Sequence, residues 1–240
     1  MKLILVILLI SLAFTAAIGQ RKIDDQEAKC TLGLDHAPEL RGLRLAMPQQ
    51  NVLARFPGVS IEKPDKFGLA RLRLSFIDSS SVIKGPATRD KSPLQADITA
   101  RPEDGSAFVV DSARFPALKG VRRIEFRFID GRLSFLLVAY DDSIKWDNID
   151  DFVSTVSKTL SLPNEWRARA EAGAESTEKE LRCDAFVISA NVGADPLDSH
   201  IGAQLTVEDS VAWKALSKRQ NDVQEKAKRE ADEKRKSFKP

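Results

Sequence analysis

The stretch 122–140 reads RRIEFRFIDGRLSFLLVAY and predicts a β-hairpin. Polar and apolar residues alternate in its first half, and a second apolar-rich run follows the dipeptide Asp130-Gly131. Asp-Gly between two such runs favours a two-residue turn, because both turn positions need a positive φ. With this dipeptide in the turn, the predicted cross-strand pairs are all apolar: Phe128 with Leu133, Phe126 with Phe135, and Ile124 with Leu137. A slip by one residue would bring charges onto that face, so the pattern also predicts the register.

Three further strands are predicted on both sides of the hairpin, at 69–77, 181–190 and 201–207. The first alternates, with apolar residues at 70, 72, 74 and 76 facing one way and arginines and a serine facing the other. The last two are separated by the turn-forming sequence 193–196, Gly-Ala-Asp-Pro. The chain is therefore rich in half-buried strands.

Two helices are predicted in the body of the chain. The first, 47–56, has a proline suited to a first helical turn and stops at Pro57-Gly58. The second, 148–162, carries apolar residues at spacings of three and four and ends before Pro163. Either Asp147 or Asn148 is expected to cap it.

These elements predict an α+β fold in which two helices cover one face of an antiparallel sheet of about five strands. Residues 20–209 are expected to form a single domain, with a long loop at 79–108 that is rich in serine, proline and charge. Residues 210–240 are expected to form a charged helix and tail. A weak apolar seam in this segment predicts a helix that docks by its first turns and then projects. The residues of the seam are Trp213, Leu216, Val223 and Ala227.

The N-terminus resembles a targeting segment. A lysine at position 2, the apolar run 3–10 and small residues ending at Gly19 are typical of a cleaved secretory signal at 1–19. The apolar run is too short to span a bilayer, although a retained anchor helix is the alternative interpretation. We therefore expect a secreted or periplasmic protein.

Cys30 and Cys183 are the only cysteines in the chain. An isolated pair in an oxidising compartment favours an internal disulfide, with an intermolecular bridge or free thiols as the alternatives. There is no Cys-x-x-Cys motif, so a redox role is not indicated.

The segment Gly42-Leu-Arg-Leu-Ala-Met-Pro-Gln-Gln-Asn-Val52, followed by Phe56-Pro57, resembles the opening of two related families. These are the small outer-membrane-assembly lipoproteins of the SmpA/OmlA type and the β-lactamase-inhibitor-like domains. The resemblance implies an α+β binding module of the cell envelope, in which Met47 and Val52 pack a short helix on the sheet. Physically, the pattern predicts that Leu45, Met47, Val52 and Phe56 are core residues.

Four arginines are the candidate binding residues. Arg71, Arg73, Arg123 and Arg127 are predicted to share the uncovered face of the sheet, where they form either a solvated surface or a contact for an anionic ligand. No catalytic residues are assigned, because neither histidine, His36 or His200, belongs to a recognisable catalytic motif. Acidic residues at 141–151 raise the idea of calcium, but the EF-hand spacing is missing and helix capping explains those at 147–151 without a metal, so no metal or cofactor is expected.

The functional prediction is an exported, non-catalytic binding or scaffold protein of a bacterial cell envelope. Its expected partner is a protein or an anionic envelope component, and nucleic acid is not expected for an exported chain with one tyrosine. One alternative is a hydrolase that acts on envelope material through carboxylates not recognised in the sequence. Another is membrane-surface attachment through residues 214–239, which carry ten lysines and arginines against five acidic residues.

Overall fold

The computed structural model describes residues 30–61, 63–77, 98–99, 107–169, 177–194 and 201–237. The predicted signal at 1–19, His200 and most of the predicted loop at 79–108 lie outside these ranges. None of the helices in the described ranges combines the length and the apolar character needed to cross a bilayer.

The described part of the chain contains a nine-stranded sheet. The strands are β1 (Leu69–Ile77), β2 (Ile98–Thr99), β3 (Ala107–Asp111), β4 (Val121–Ile129), β5 (Arg132–Tyr140), β6 (Arg167–Ala168), β7 (Glu178–Arg182), β8 (Phe186–Ala194) and β9 (Ile201–Asp209). Their order is β2-β3-β1-β4-β5-β9-β8-β7-β6. All neighbours are antiparallel except β1 and β3, which run parallel.

The α+β class is confirmed, and the expected sheet of about five antiparallel strands is only partly matched, because the sheet is larger and mixed. Two of the additional strands fall in or at the edge of the predicted loop, because β2 and the start of β3 lie before residue 109. The predicted strand 181–190 divides into β7 and β8, and the chain turns between them at 183–185. Short strands such as β2 and β3 lack the long alternating pattern that a sequence prediction needs.

The β4–β5 hairpin has the predicted turn and a partly different register. Asp130 and Gly131 both have positive φ, at 51° and 75°, and Phe128 pairs with Leu133 as expected. Beyond this pair the register shifts by one residue, so that Phe126 faces Leu136 instead of Phe135. The same shift pairs Ile124 with Val138 instead of Leu137.

A β-bulge at Ser134 causes the shift. The additional residue lies opposite the Arg127–Phe128 step, and its hydroxyl donates to the Arg127 carbonyl at 3.2 Å. Because a bulge reverses the facing of the residues that follow it, Phe135 moves to the other side of the sheet and Leu136 replaces it in the core. The replacement is apolar, so the core face stays intact.

One face of the sheet is covered by residues 30–61 and by α2 (Ile149–Leu160). Residues 30–61 include α1 (Gln49–Leu53), which is shorter than predicted and is preceded by Pro48 in an extended conformation. Of the four predicted core residues in this segment, Leu45, Val52 and Phe56 are buried, and Met47 is partly buried against the core. The Met47 carbonyl accepts from the Leu133 N–H, which ties the segment to β5.

The helix α2 is capped and anchored at both ends. Asn148 is the cap, and its side-chain oxygen accepts from the Asp151 N–H at 2.9 Å. Asp150 in the first turn forms an ion pair with Lys179 of β7. Near the other end, the Trp166 indole donates to the Ser157 hydroxyl at 2.7 Å. The helix packs mainly on β7 and β8, and its Phe152 ring lies beside Tyr140 at the end of β5.

Cys30 and Cys183 form a disulfide, which confirms the internal pairing. Cys183 lies in the turn between β7 and β8, where Cys30 pairs with it as an isolated bridge. The Asp184 N–H donates to the Cys30 carbonyl at 3.0 Å. The bond therefore ties the 30–61 segment to the turn between β7 and β8, 153 residues away in sequence.

The second face of the sheet is crossed by α3 (Ser210–Ser237), which follows β9 without a loop. The Asp209 carboxylate caps it by accepting from the Val211 and Ala212 N–H groups. Leu216 is fully buried against Leu69 and Ile129. The described helix from residue 224 onward is exposed, which confirms a helix that docks by its first turns and then projects.

Candidate functional site

An apolar cavity lies on the covered face, between α2 and the 39–41 segment. We call it the α2 cleft, and its volume is about 790 Å³. Tyr140 at the end of β5 and Leu205 of β9 form its floor, and Val156 of α2 lies on one wall. Ligand pockets in proteins have volumes of roughly 300–1,000 Å³ and are lined mainly by apolar and aromatic side chains. The α2 cleft has both properties.

Three aromatic rings form part of the floor of the α2 cleft. Phe152 packs between the other two, with its ring centroid 5.0 Å from that of Trp146 and 6.3 Å from that of Tyr140. Ile144, in the turn after β5, lies at the mouth and is 59 % exposed. Aromatic rings supply large apolar contact areas at a small cost in side-chain entropy. An exposed isoleucine beside them extends the apolar surface to the rim.

Arg41 is held at the rim by a tight turn. Leu40 and Leu43 exchange two backbone hydrogen bonds, and both residues between them, Arg41 and Gly42, have positive φ. Gly42 suits this position because its φ is +82°, a backbone conformation that residues with a Cβ rarely adopt. The turn places the Arg41 guanidinium 3.4 Å from the carbonyl oxygen of Lys119.

The rim of the α2 cleft is charged but balanced. Arg41 and Lys119 provide two positive charges, and Glu39 and Asp141 provide two negative ones. Burial raises the pKa of the Tyr140 hydroxyl, while a hydrogen bond and the positive charge from Arg41 act in the opposite direction. Tyr140 is therefore a neutral hydrogen-bonding group at physiological pH. The arrangement suits an uncharged ligand with an apolar body.

A second cavity lies on the opposite face, beneath the first turns of α3. We call it the α3 groove, and its volume is about 730 Å³. Its floor is the face of β7, β8 and β9 that the other helices leave uncovered, and one stripe of α3 forms its wall. Its lining is mainly polar, whereas that of the α2 cleft is mainly apolar. The polar lining residues include Glu180, Arg182, Ser189, Thr206, Glu208 and Asn221.

Two glutamates face the α3 groove from β7 and β9. Glu180 forms an ion pair with Arg182, with 2.6 Å between carboxylate oxygen and Nε. Burial raises the pKa of Glu208, and the positive charges of Arg127 and Arg169 only partly offset this. One carboxylate that is ion-paired and another whose pKa is raised are a combination that acid–base catalysis uses. The hydrolase alternative would need such a pair.

The four predicted arginines come together on the second face, but they are not equally accessible. Arg71 lies directly opposite Arg127 in the β1–β4 register, and it is exposed. Arg73 and Arg123 each place Nε 3.2 Å from the same Glu125 oxygen. Arg123 is only 4 % exposed, which corrects its assignment as an exposed residue.

Arg127 is partly covered by two aromatic rings. Its guanidinium lies 4.1 Å from the centroid of the Phe135 ring and 5.6 Å from that of the Trp213 ring. Burial and the facing charge of Arg71 lower its pKa, whereas the carboxylates of Glu125 and Glu208 raise it. Among the four arginines, Arg71 is therefore the residue best placed to meet a partner, and a binding role for the set stays a prediction.

The sequence prediction missed both cavities. Each joins residues that are far apart in the chain, such as Arg41 with Tyr140, or Glu180 with Glu208. A local signal existed for Arg41, since Arg-Gly between two leucines is compatible with a tight turn. His36, by contrast, lies exposed beside Asp35 and lines neither cavity. Within the described ranges, no group of three or more potential metal ligands converges.

The chain matches no protein-family model, no curated protein and no solved structure with which it was compared. The resemblance of residues 42–57 to the SmpA/OmlA-type lipoproteins therefore remains a prediction.

Proposed function

We propose that this protein is a non-catalytic binding protein of the bacterial cell envelope, and that it holds an uncharged, largely apolar small molecule in the α2 cleft. The observation that carries the proposal is the aromatic floor of Tyr140, Trp146 and Phe152 in a cavity of ligand size. The Cys30–Cys183 disulfide supports export, because such bonds persist in oxidising compartments.

The chemistry of the ligand follows from the lining. An apolar body contacts the floor and α2, and burying its surface contributes about 25 cal/mol per Å² before the cost of immobilisation. The balanced charges at the rim do not favour an anion over a cation. Polar groups on the ligand are expected near the mouth, within reach of Arg41 and Tyr140.

The test uses N-phenyl-1-naphthylamine, a neutral apolar dye whose emission increases when it leaves water. Thr155 lines the α2 cleft from an exposed position on α2, so Thr155→Trp fills the cavity without disturbing the core. We expect this variant to weaken dye binding by about tenfold or more, equivalent to ~1.4 kcal/mol. Measurement is by fluorescence titration of the purified protein.

The matched control is Ser154→Trp, one residue earlier on the same helix, which is exposed and does not line the cleft. Its affinity for the dye should equal that of the unmodified protein. If the dye binds equally to both tryptophan variants, or not at all, the α2 cleft is not a binding site.

A hydrolase is the second candidate, because Glu180 and Glu208 line one groove. Incubation with isolated cell-wall material, followed by chromatography of the soluble fraction, measures its activity. Product release that is lost in Glu208→Gln and in Glu180→Gln would support it. If the unmodified protein releases no product over days, the hydrolase is excluded for this material.

A further inference from the structure

We infer that the α3 groove is a binding site for an uncharged oligosaccharide. This site lies on the opposite face of the sheet from the α2 cleft, and the inference does not depend on the function proposed for that cleft. It follows from the charge balance of the lining, the kinds of hydrogen-bonding groups present and the position of Trp213.

The groove has a defined geometry. Residues of α3 at spacings of three and four line it, namely Trp213, Lys214, Ser217, Lys218 and Asn221. Leu216, on a neighbouring stripe, fixes the helix to Leu69 and Ile129, and Arg219 pairs with Asp130 at 3.0 Å. These contacts outside the groove hold the wall in place, and among the lining residues Trp213 also packs against the Leu69–Ile129–Leu216 cluster.

The charge of the lining excludes strongly charged ligands. Four cationic side chains, Arg169, Arg182, Lys214 and Lys218, are matched by four acidic ones, Glu180, Glu208, Asp222 and Glu225. A polyanion such as a nucleic acid or a phosphate polymer binds surfaces with an excess of positive charge, which this groove does not have. An uncharged ligand meets no such barrier.

The polar groups suit hydroxyls. Ser189, Ser217 and Thr206 both donate and accept hydrogen bonds, Asn221 does so through its amide, and the charged groups supply strong donors and acceptors. Outward-facing positions on neighbouring strands lie about 4.8 Å apart, close to the length of one pyranose ring. A chain of hydroxyl-bearing rings can therefore meet a new set of partners on each strand.

Trp213 supplies the aromatic surface that sugar rings need. Its side chain is partly buried, and its ring lies near the Arg127 guanidinium. The same side chain also lines the groove. The C–H groups on one face of a pyranose pack on an indole, while the hydroxyls at the ring edge reach polar side chains. A peptide ligand would need several apolar pockets, and Val187 is the only aliphatic side chain that lines the groove within the described chain.

The test uses two neutral probes, tetra-N-acetylchitotetraose and maltotetraose, with binding measured by isothermal titration calorimetry on the full mature chain. Ser217→Trp fills the groove from an exposed position. Ala215→Trp is the matched control, since it is exposed on the same helix and does not line the groove. We expect at least one probe to bind, Ser217→Trp to weaken it about tenfold or more, and Ala215→Trp to leave it unchanged.

Trp213→Phe sharpens the test, because it keeps an aromatic ring and should weaken binding less than Trp213→Ala does. The inference is overturned if neither probe binds at millimolar concentration, or if Ser217→Trp and Ala215→Trp bind equally. Thr155→Trp, in the α2 cleft, should not change saccharide binding. The proposal for the α3 groove can therefore be refuted without refuting the one for the α2 cleft, and the reverse also holds.

Discussion

The two faces of the sheet carry cavities of similar size and opposite character. The α2 cleft measures about 790 Å³ and has an aromatic floor, and the α3 groove measures about 730 Å³ and is polar. The cleft wall at 39–41 belongs to a segment that a disulfide ties to the sheet, whereas the wall of the groove is a helix held by side-chain packing. The segment that forms one wall of the α2 cleft is therefore anchored by a covalent bond, whereas the helix that forms the wall of the α3 groove is held on the sheet by noncovalent packing.

Two sites can therefore share one sheet and still have separate sources of stability. Perturbing the disulfide should affect the α2 cleft first. Perturbing α3 should affect the α3 groove first.

Replacing both Cys30 and Cys183 with serine should lower the free energy of unfolding by about 5 kcal/mol, because the disulfide closes a loop of 153 residues. For a chain of this size the melting temperature should fall by on the order of 10 °C. Affinity for N-phenyl-1-naphthylamine should fall at temperatures where α3 is still docked. Calorimetry and dye titration measure the two effects. An unchanged melting temperature would contradict the prediction.

Leu216→Ala should cost about 2–5 kcal/mol of docking free energy, because the side chain is fully buried between α3 and the sheet. Saccharide binding in the groove should disappear, and dye binding in the cleft should persist. Amide hydrogen exchange along α3 measures the undocking. Val223→Ala is the control, since Val223 is 45 % exposed and should cost far less. Equal losses in both variants would refute the assigned docking contact.

Arg71→Glu should stabilise the protein by about 0.2–1 kcal/mol, because it replaces a like-charge pair with an opposite-charge pair facing Arg127. The gain should shrink at high salt, which screens exposed charges. Thermal unfolding at two ionic strengths measures it. Arg73→Glu is the control and should destabilise, since Arg73 already pairs with Glu125. A gain in both variants would show that the arginine charges act as one diffuse patch.

Glu208→Gln should have the smallest effect on stability, and the size of that effect should depend on pH. Burial raises the pKa of Glu208, so ionising this carboxyl opposes folding as the pH rises above the unfolded value of about 4.3. The variant should therefore melt slightly above the unmodified protein at pH 8 and at the same temperature near pH 3. Glu180→Gln should not show this gain, because Glu180 is ion-paired with Arg182. A gain at both pH values would contradict the assigned cause.

Local patterns allowed the centre of the fold to be predicted. The Asp130-Gly131 turn, the strand at 69–77 and the cap at Asn148 each depend on a few neighbouring residues, and the structure contains all three. The bulge at Ser134 was not predicted, because shifting the register by one residue still places apolar residues, Leu136 and Val138, in the core. The hydrophobic pattern was therefore satisfied by two registers.

The sites were less predictable than the fold, because they depend on tertiary placement. The arginines were correctly assigned to one face, yet the burial of Arg123 depends on its pairing with Glu125. No local pattern indicates that α3 crosses this face. Its weak apolar seam predicted docking, but the partners, Leu69 and Ile129, lie more than 80 residues away.

The strand β9 separates the two cavities by the thickness of one backbone. Leu205 faces the α2 cleft, and its neighbour Thr206 faces the α3 groove. Any displacement of this strand by an occupant on one side changes the shape available on the other. Thermodynamic linkage then requires that the two occupants alter each other's affinity by the same factor, whether they compete or cooperate.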